Sequence, residues 1–212
     1  MNRRVLYRLV MALACGAAVG VAQPAFAVDE AADALIKRLS TEVLESIKGD
    51  KAIKSGDASR IIALVDSKIM PNVNFSRMTA SAVGPAWRQA TPEQQKRLQD
   101  EFKTLLVRTY AGALSEVSEQ VITVKPLRAA ADDKEVIVRT EVKGQGESIQ
   151  LDYRLEKTPG QGAGWKIFNL NVLGIWLVET YKSQFAQEIT SKGIDGLIAT
   201  LAERNKASAK KG

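Results

Sequence analysis

The feature that most constrains this chain is a change of hydrophobic period, from about 3.6 residues to 2 and back again. Up to Leu114 the apolar residues recur at spacings of three and four, the mark of helices with one buried face. From Gln120 they alternate, as in strands with one face buried and one wet. From Val178 the helical spacing returns. Helices, then a meander, then helices imply an α+β domain: a curved, mainly antiparallel sheet of four to five strands packed by N- and C-terminal helices.

Punctuation residues divide the pattern. Asp29 to Lys48 reads as a helix, with Leu35, Leu39, Val43 and Ile47 stepping by four. Gly49 to Asp57 reads as a polar linker. Asp57 or Ser59 is placed to cap a second helix carrying Ile61, Leu64, Val65 and Ile69, which Pro71 is expected to end. Asn74 heads a short helix that stops at Gly84. Thr91-Pro92-Glu93-Gln94 is the strongest start signal: a capping threonine, a proline at the first helical position, and a glutamine that can close a capping box. Leu98, Phe102, Leu105, Leu106, Tyr110, Ala113 and Leu114 then line one face.

The strands follow. Gln120–Leu127 is the first. Val136–Lys143 and Ile149–Leu155 form a hairpin around Gly144-Gln145-Gly146. Trp165–Leu177 is apolar on both sides and is expected to be covered on both faces. Two closing helices carry Val178, Tyr181, Phe185 and Ile189, then Ile194, Leu197, Ile198 and Leu201. Residues 206–212 read as a disordered basic tail.

The first 27 residues read as an export signal. Arg3, Arg4 and Arg8 precede an apolar run from Leu9 to Ala22, and Ala25-Phe26-Ala27 offers the cleavage site. About 14 apolar residues are too few to span a bilayer. A lipoprotein reading of Cys15 fits less well, because Met11-Ala12-Leu13-Ala14 matches a lipobox poorly. The mature chain is expected to begin at Val28, in the periplasm, as one domain over 28–205 with a helical subdomain near its N-terminal half. The signal holds three of the 30 Lys+Arg and none of the 24 Asp+Glu, which leaves a mature charge of +3. With no basic stripe interleaved with aromatics, a nucleic-acid partner is not expected.

The same cut removes the single Cys, and the chain has no His. That excludes a disulfide, a thiol nucleophile, Ser-His and Cys-His catalysis, and His- or Cys-based zinc, copper and haem sites. Carboxylates remain, scattered along wet faces, with Asp152 on an exposed strand face beside Arg154. Asp29-Glu30 and Asp132-Asp133 read as helix-start and turn acids. The glycines around Gly144 and Gly160–Gly164 lack the strand–loop–helix context of a phosphate site. Trp87, Trp165 and Trp176 read as core or near-core. No metal and no cofactor are expected. Nothing in this inventory points to chemistry; an apolar cavity between the layers is the remaining option.

Four groups of motifs carry a resemblance. They are Met70-Pro71 with Phe75-x-x-Met78; Gly84-x-x-Trp87-Arg88 running into Thr91-Pro92-Glu93-Gln94; Phe102-x-x-Leu105-Leu106-x-x-x-Tyr110; and Leu151-Asp152-Tyr153-Arg154 with Trp165-Lys166-Ile167-Phe168-Asn169. With Tyr181-Lys182-Ser183-Gln184-Phe185 and Gly193-Ile194-Asp195-Gly196-Leu197, the chain resembles the MlaC, or toluene-tolerance, family of periplasmic phospholipid-binding proteins. The resemblance implies a nuclear-transport-factor-like cone whose pocket takes acyl chains. It implies phospholipid as cargo, passed between an outer-membrane lipoprotein–porin complex and an inner-membrane MCE-domain ABC transporter to maintain outer-membrane lipid asymmetry. The chain departs from the family over Phe168-Asn169 and Leu173-Gly174-Ile175-Trp176-Leu177, where a charge and a hydroxyl give way to apolar bulk. The rival readings are a carboxylate-dependent enzyme on the same kind of fold and a ligand-free periplasmic interaction protein.

The expected pocket lies between the Thr91–Leu114 helix and the concave sheet face. Its candidate lining is Trp87, Phe102, Leu106, Tyr110, Val138, Val142, Leu151, Tyr153, Val172 and Trp176. Arg88, Arg108 and Lys182 are candidates for acidic headgroups or partner surfaces. Without His, lipid affinity is expected to stay flat between about pH 5.5 and 8; a histidine-like transition in a binding titration over that range contradicts this.

Overall fold

Side-chain caps decide where four of the helices start. The computed structural model describes residues 29–115, 119–130, 132–144 and 148–209, so the expected signal, its cleavage site and Cys15 lie outside the described residues. Helix α1 spans Ala32–Gly49 and buries Leu35, Ile36, Leu39 and Ile47, its expected face. The expected linker after it holds a one-turn helix, α2 (Lys51–Lys54). Asp50 builds that turn by accepting the N–H groups of Ala52 at 2.9 Å and Ile53 at 3.2 Å, and Ile53 is buried beneath it.

Asp57 caps α3 (Ala58–Leu64) through the N–H groups of Ser59 and Arg60. Pro71 does not end that helix. The α-helix widens at Val65 into a π-helical turn, Val65–Ile69, and Pro71 sits inside a 3-10 turn, Met70–Asn72. A proline fits there because the first N–H groups of a turn have no helical partner. Asn74 caps α4 (Phe75–Val83), and Gly84, at φ 72°, stops it. A 3-10 turn, Gly84–Gln89, leads to α5 (Pro92–Ser115). Its capping box closes in both directions: Gln94 N–H to Thr91 Oγ1 at 3.2 Å, and Thr91 N–H to Gln94 Oε1 at 2.9 Å.

The sheet is a five-strand antiparallel meander in chain order. Its strands are β1 (Val121–Val124), β2 (Glu135–Lys143), β3 (Ile149–Lys157), β4 (Trp165–Val172) and β5 (Ile175–Trp176). The expected single run from Trp165 to Leu177 divides because Leu173 and Gly174, both at positive φ, form a two-residue turn. Directly opposed residues share a face. Val138 faces Tyr153, Thr140 faces Leu151, Tyr153 faces Leu170 and Leu151 faces Val172, so one inner apolar face runs across β2, β3 and β4. Opposite the Arg154–Leu155 step, β4 carries one extra residue, Phe168, a bulge that shifts the register and bends β4. The outer edge of β4 is covered where Val73 bridges to Ile167 and the Asn74 N–H bonds the Ile167 carbonyl at 2.8 Å.

Helices cover the inner face in two groups. Helix α1 lays Leu35, Ile36 and Leu39 over Val136, Val138, Leu155 and Ile167. Helices α4, α5 and α6 (Leu177–Ala209) form a second cluster against Leu170 and Val172. The two expected closing helices are the halves of α6, joined at Gly193 with φ 70° and ψ −174°. Of the expected tail, residues 206–209 continue the helix, held by the buried Asn205, whose amide donates to the Glu101 carbonyl on α5, and 210–212 lie outside the described residues.

The Gly193 conformation is one that residues with a Cβ rarely adopt, although a Cβ built there meets nothing within 4 Å. Gly193→Ala is therefore expected to cost about 1–3 kcal/mol through the backbone alone. Urea unfolding checks this, and an unchanged midpoint contradicts it.

Candidate functional site

The inner face of the sheet is not covered evenly. Cross-strand rows run in order from one end to the other. In the first row Val136, Leu155 and Ile167 are buried under α1. In the second, Val138 is buried while Tyr153 and Leu170 are half-buried. In the third, Thr140 is buried while Leu151 and Val172 are half-buried. The fourth pairs Ile122, Val142 and Ile149, and Ile149 is 41% exposed. Cover is lost step by step toward the β2–β3 hairpin.

Helix α5 shows the same gradient. Leu98 and Phe102 are fully buried, whereas Leu105, Leu106 and Tyr110, one to two turns onward, are half-buried against the same cluster as Leu170 and Val172. The C-terminal end of α5 leads into β1 at the loosening end of the sheet. Both apolar walls therefore open together.

The ten expected lining residues fall into three groups. Leu106, Tyr110, Val142, Leu151 and Val172 are half-buried apolar positions toward the open end. Phe102, Val138, Tyr153 and Trp87 lie deeper or beside it. Phe102 packs among aromatic rings, with centroids 5.8 Å from Phe75, 4.9 Å from Tyr181 and 5.2 Å from Phe185. Val138 packs with α1, and Tyr153 joins that cluster, its hydroxyl beside Ser40 and Thr140. Burial raises the Tyr153 pKa above its ordinary value. Trp87 is half-buried beside the α5–α6 cluster. Trp176 does not join the others: it pairs with Asn171 and so lies on the outer face of the sheet. There the Arg154 guanidinium sits 4.0 Å above its ring.

Sequence reasoning missed Leu105, Leu170 and Ile122 as wall positions, although their place in the apolar pattern is a visible signal. It also missed Asn169. The Asn169 Oδ1 accepts the N–H of Val178 at the start of α6, and its amide donates to Glu179 at 2.8 Å. Burial pushes the Glu179 carboxyl up, but the bonds from Asn169 and Arg154 outweigh it and hold the group below its usual range. No local pattern announces partners nine and ten residues away.

Two charged candidates are corrected. Asp152 is buried, at 6% exposure, with Oδ2 accepting from Gln150 at 2.8 Å and Oδ1 without a partner. It lies on the outer face with Asn171, away from the apolar walls. Arg108 turns inward to the Asn205 carbonyl, while Arg88 and Lys182 are exposed. Among the described residues no three His, Cys, Asp or Glu side chains converge as a metal site. No described helix is long and apolar enough to cross a membrane. A separate cleft of about 210 Å³ lies among α1, α2 and α3, crossed by the Asp50–Arg60 ion pair at 2.6 Å. Its lining mixes Asp50, Arg60 and Lys68 with Ile53 and Leu64, unlike the graded apolar walls.

Sheet and walls together define an α+β cone-like fold whose apolar inner face, among the described residues, is covered less completely toward one end. The MlaC protein family model matches residues 37–203, and the chain belongs to that family. Toluene tolerance protein ttg2D of Pseudomonas putida is 29% identical over 182 residues, covering 82% of this chain and 83% of the relative. The intermembrane phospholipid transport system binding protein MlaC of Haemophilus influenzae is 20% identical over 170 residues, covering 80% of this chain and 79% of the relative. Among solved structures, a phospholipid-binding protein of Ralstonia solanacearum, in complex with a phospholipid, is 49% identical with a TM-score of 0.80. It covers 84% of this chain and 98% of its own.

The burial gradient separates core from wall experimentally. Phe102→Ala is expected to cost about 3–5 kcal/mol in urea unfolding, as for a fully buried aromatic, and Leu106→Ala distinctly less. Equal losses contradict the gradient.

Proposed function

We propose that this protein is a periplasmic phospholipid carrier that holds acyl chains in the apolar cone between α5 and the inner face of the sheet. The observation that carries the reading is the paired loss of cover: half-buried Leu105, Leu106 and Tyr110 oppose half-buried Leu151, Leu170 and Val172 in a family member whose 49%-identical relative was solved with phospholipid. In this reading Val142 and Ile122 continue the wall outward. Phe102, Val138, Tyr153 and Trp87 form the floor and flank, and Trp176 braces the structure from outside.

The energetics favour a carrier with no reactive group. A two-chain phospholipid carries about 30 methylenes, and at ~0.8 kcal/mol each their exposure to water costs on the order of 24 kcal/mol. A carrier removes that cost by burying the tails, while the headgroup stays in solvent. The chain would receive lipid from, and deliver it to, an outer-membrane lipoprotein–porin complex and an inner-membrane MCE-domain ABC transporter. It would thereby maintain outer-membrane lipid asymmetry. No cofactor enters this function.

Mass spectrometry of organic extracts from the purified protein is expected to find intact two-chain phospholipid. Leu106→Trp is expected to remove most of it while leaving the far-ultraviolet circular dichroism unchanged. Lipid retained in full by the folded variant places the tails elsewhere, and wild-type protein without lipid overturns the carrier reading.

A further inference from the structure

The large hydrophobic side chains left exposed among the described residues are Val121, Ile149, Leu173 and Ile175, at 61%, 41%, 62% and 59%. They come from separate segments, yet they gather at one end of the molecule. Val121 opens β1 opposite Lys143 at the end of β2, and Ile149 opens β3. Leu173 donates its N–H to the Gln150 carbonyl at 3.0 Å, beside Ile149, and Ile175 follows across the turn. This is the end at which the cone opens, its rim: Ile149 and Ile175 continue the inner face beyond the walls, Leu173 stands on the turn between strands, and Val121 flanks the same end from the outer face.

Leu173 adds an independent signal. It is the one non-glycine residue at positive φ among the described residues, with φ 52°. With Gly174 at φ 86° it forms a two-residue hairpin turn, in which both positions need positive φ and Asn-Gly is favoured. A branched aliphatic side chain is a poor choice for that backbone, and its exposure means that packing within the chain does not compensate. Strain retained to hold an apolar side chain in water indicates a contact outside the chain.

We propose that this rim seats in the surface of a phospholipid bilayer, with Leu173 and Ile175 entering the acyl layer at the mouth of the cone. The rim's chemistry favours a bilayer over a protein partner. Its four exposed side chains are all aliphatic and stand at turn and strand ends, which suits shallow entry into an acyl layer. Behind the tip stands Trp176 under the Arg154 guanidinium, an amphipathic ring and a cation suited to headgroup depth. The rim is also continuous with the apolar walls, so a carrier docked at either membrane complex would hold the mouth of its cone against the acyl layer. This inference rests on the carrier reading for its purpose.

The test uses the lipid-loaded mature protein and vesicles of phosphatidylethanolamine and phosphatidylglycerol, read by flotation. The variant is Leu173→Asn with Ile175→Thr. Asparagine tolerates positive φ and threonine keeps the β-branch, so the fold should be at least as stable as the wild type. Wild-type protein is expected to float with the vesicles. The double variant is expected to float at least about tenfold less, with thermal midpoint and extracted phospholipid unchanged. Wild-type protein that stays lipid-loaded but does not float, or a variant that floats equally, overturns the rim proposal and leaves the carrier reading standing. A wild-type extract without phospholipid overturns both.

Discussion

The packing of Phe102 against Tyr181 and Phe185 is the contact on which the rest of the structure depends. These rings join α5 to the first half of α6, and Phe75 brings in α4. With Leu98, Leu197, Ile198 and Leu201, all fully or almost fully buried, they make a closed apolar cluster. Such a cluster contributes a large share of a domain's stability, because buried aromatic and aliphatic side chains carry the greatest transfer terms. The protein can then leave its opposite end loosely covered. Helix α1 closes the other flank of the sheet in the same way, over Val136, Val138 and Leu155.

The outer face of the sheet is held by charge and ring stacking. Arg77 lies 3.7 Å from the centre of the Phe168 ring while it pairs with Glu135 and Glu156. Arg154 lies over Trp176 while it pairs with Glu179. Ion pairs this exposed contribute little each. Their main effect is positional: each arginine ties a helix start to a strand, α4 to β3 and β2 in one case, α6 to β3 in the other. Asn169 completes the second tie by accepting the Val178 N–H. Phe168 and Asn169 thus supply a ring under a cation and a helix cap.

Much of this was legible in local chemistry. Thr91, Asn74 and Asp57 cap where their positions say they should, because a capping bond spans only two or three residues. The strand alternation placed Val138, Tyr153 and Val172 on one face, because the side-chain period of a strand is two. What was not legible has one common cause: contacts between distant segments. Asp152 alternates like a wet residue, yet the outer face buries it. Trp176 looks like part of the wall until the Leu173-Gly174 turn sets its pairing with Asn171. The helix beyond residue 205 depends on the Asn205 bond to Glu101, far away in sequence.

The sequence by itself determined the class of fold, the starts of the locally capped helices at Asp57, Asn74 and Thr91, the apolar faces and the family, since period, caps and motif order are local properties of the chain. Only the tertiary structure decided which parts of those apolar faces are core and which are wall. Phe102 and Leu106 stand four residues apart on one helix face, and no local rule separates them. The first meets Tyr181 and Phe185 from a helix about eighty residues later, while the second is left half-covered. Burial is a property of what arrives from elsewhere in the chain, and so is the opening that the burial leaves.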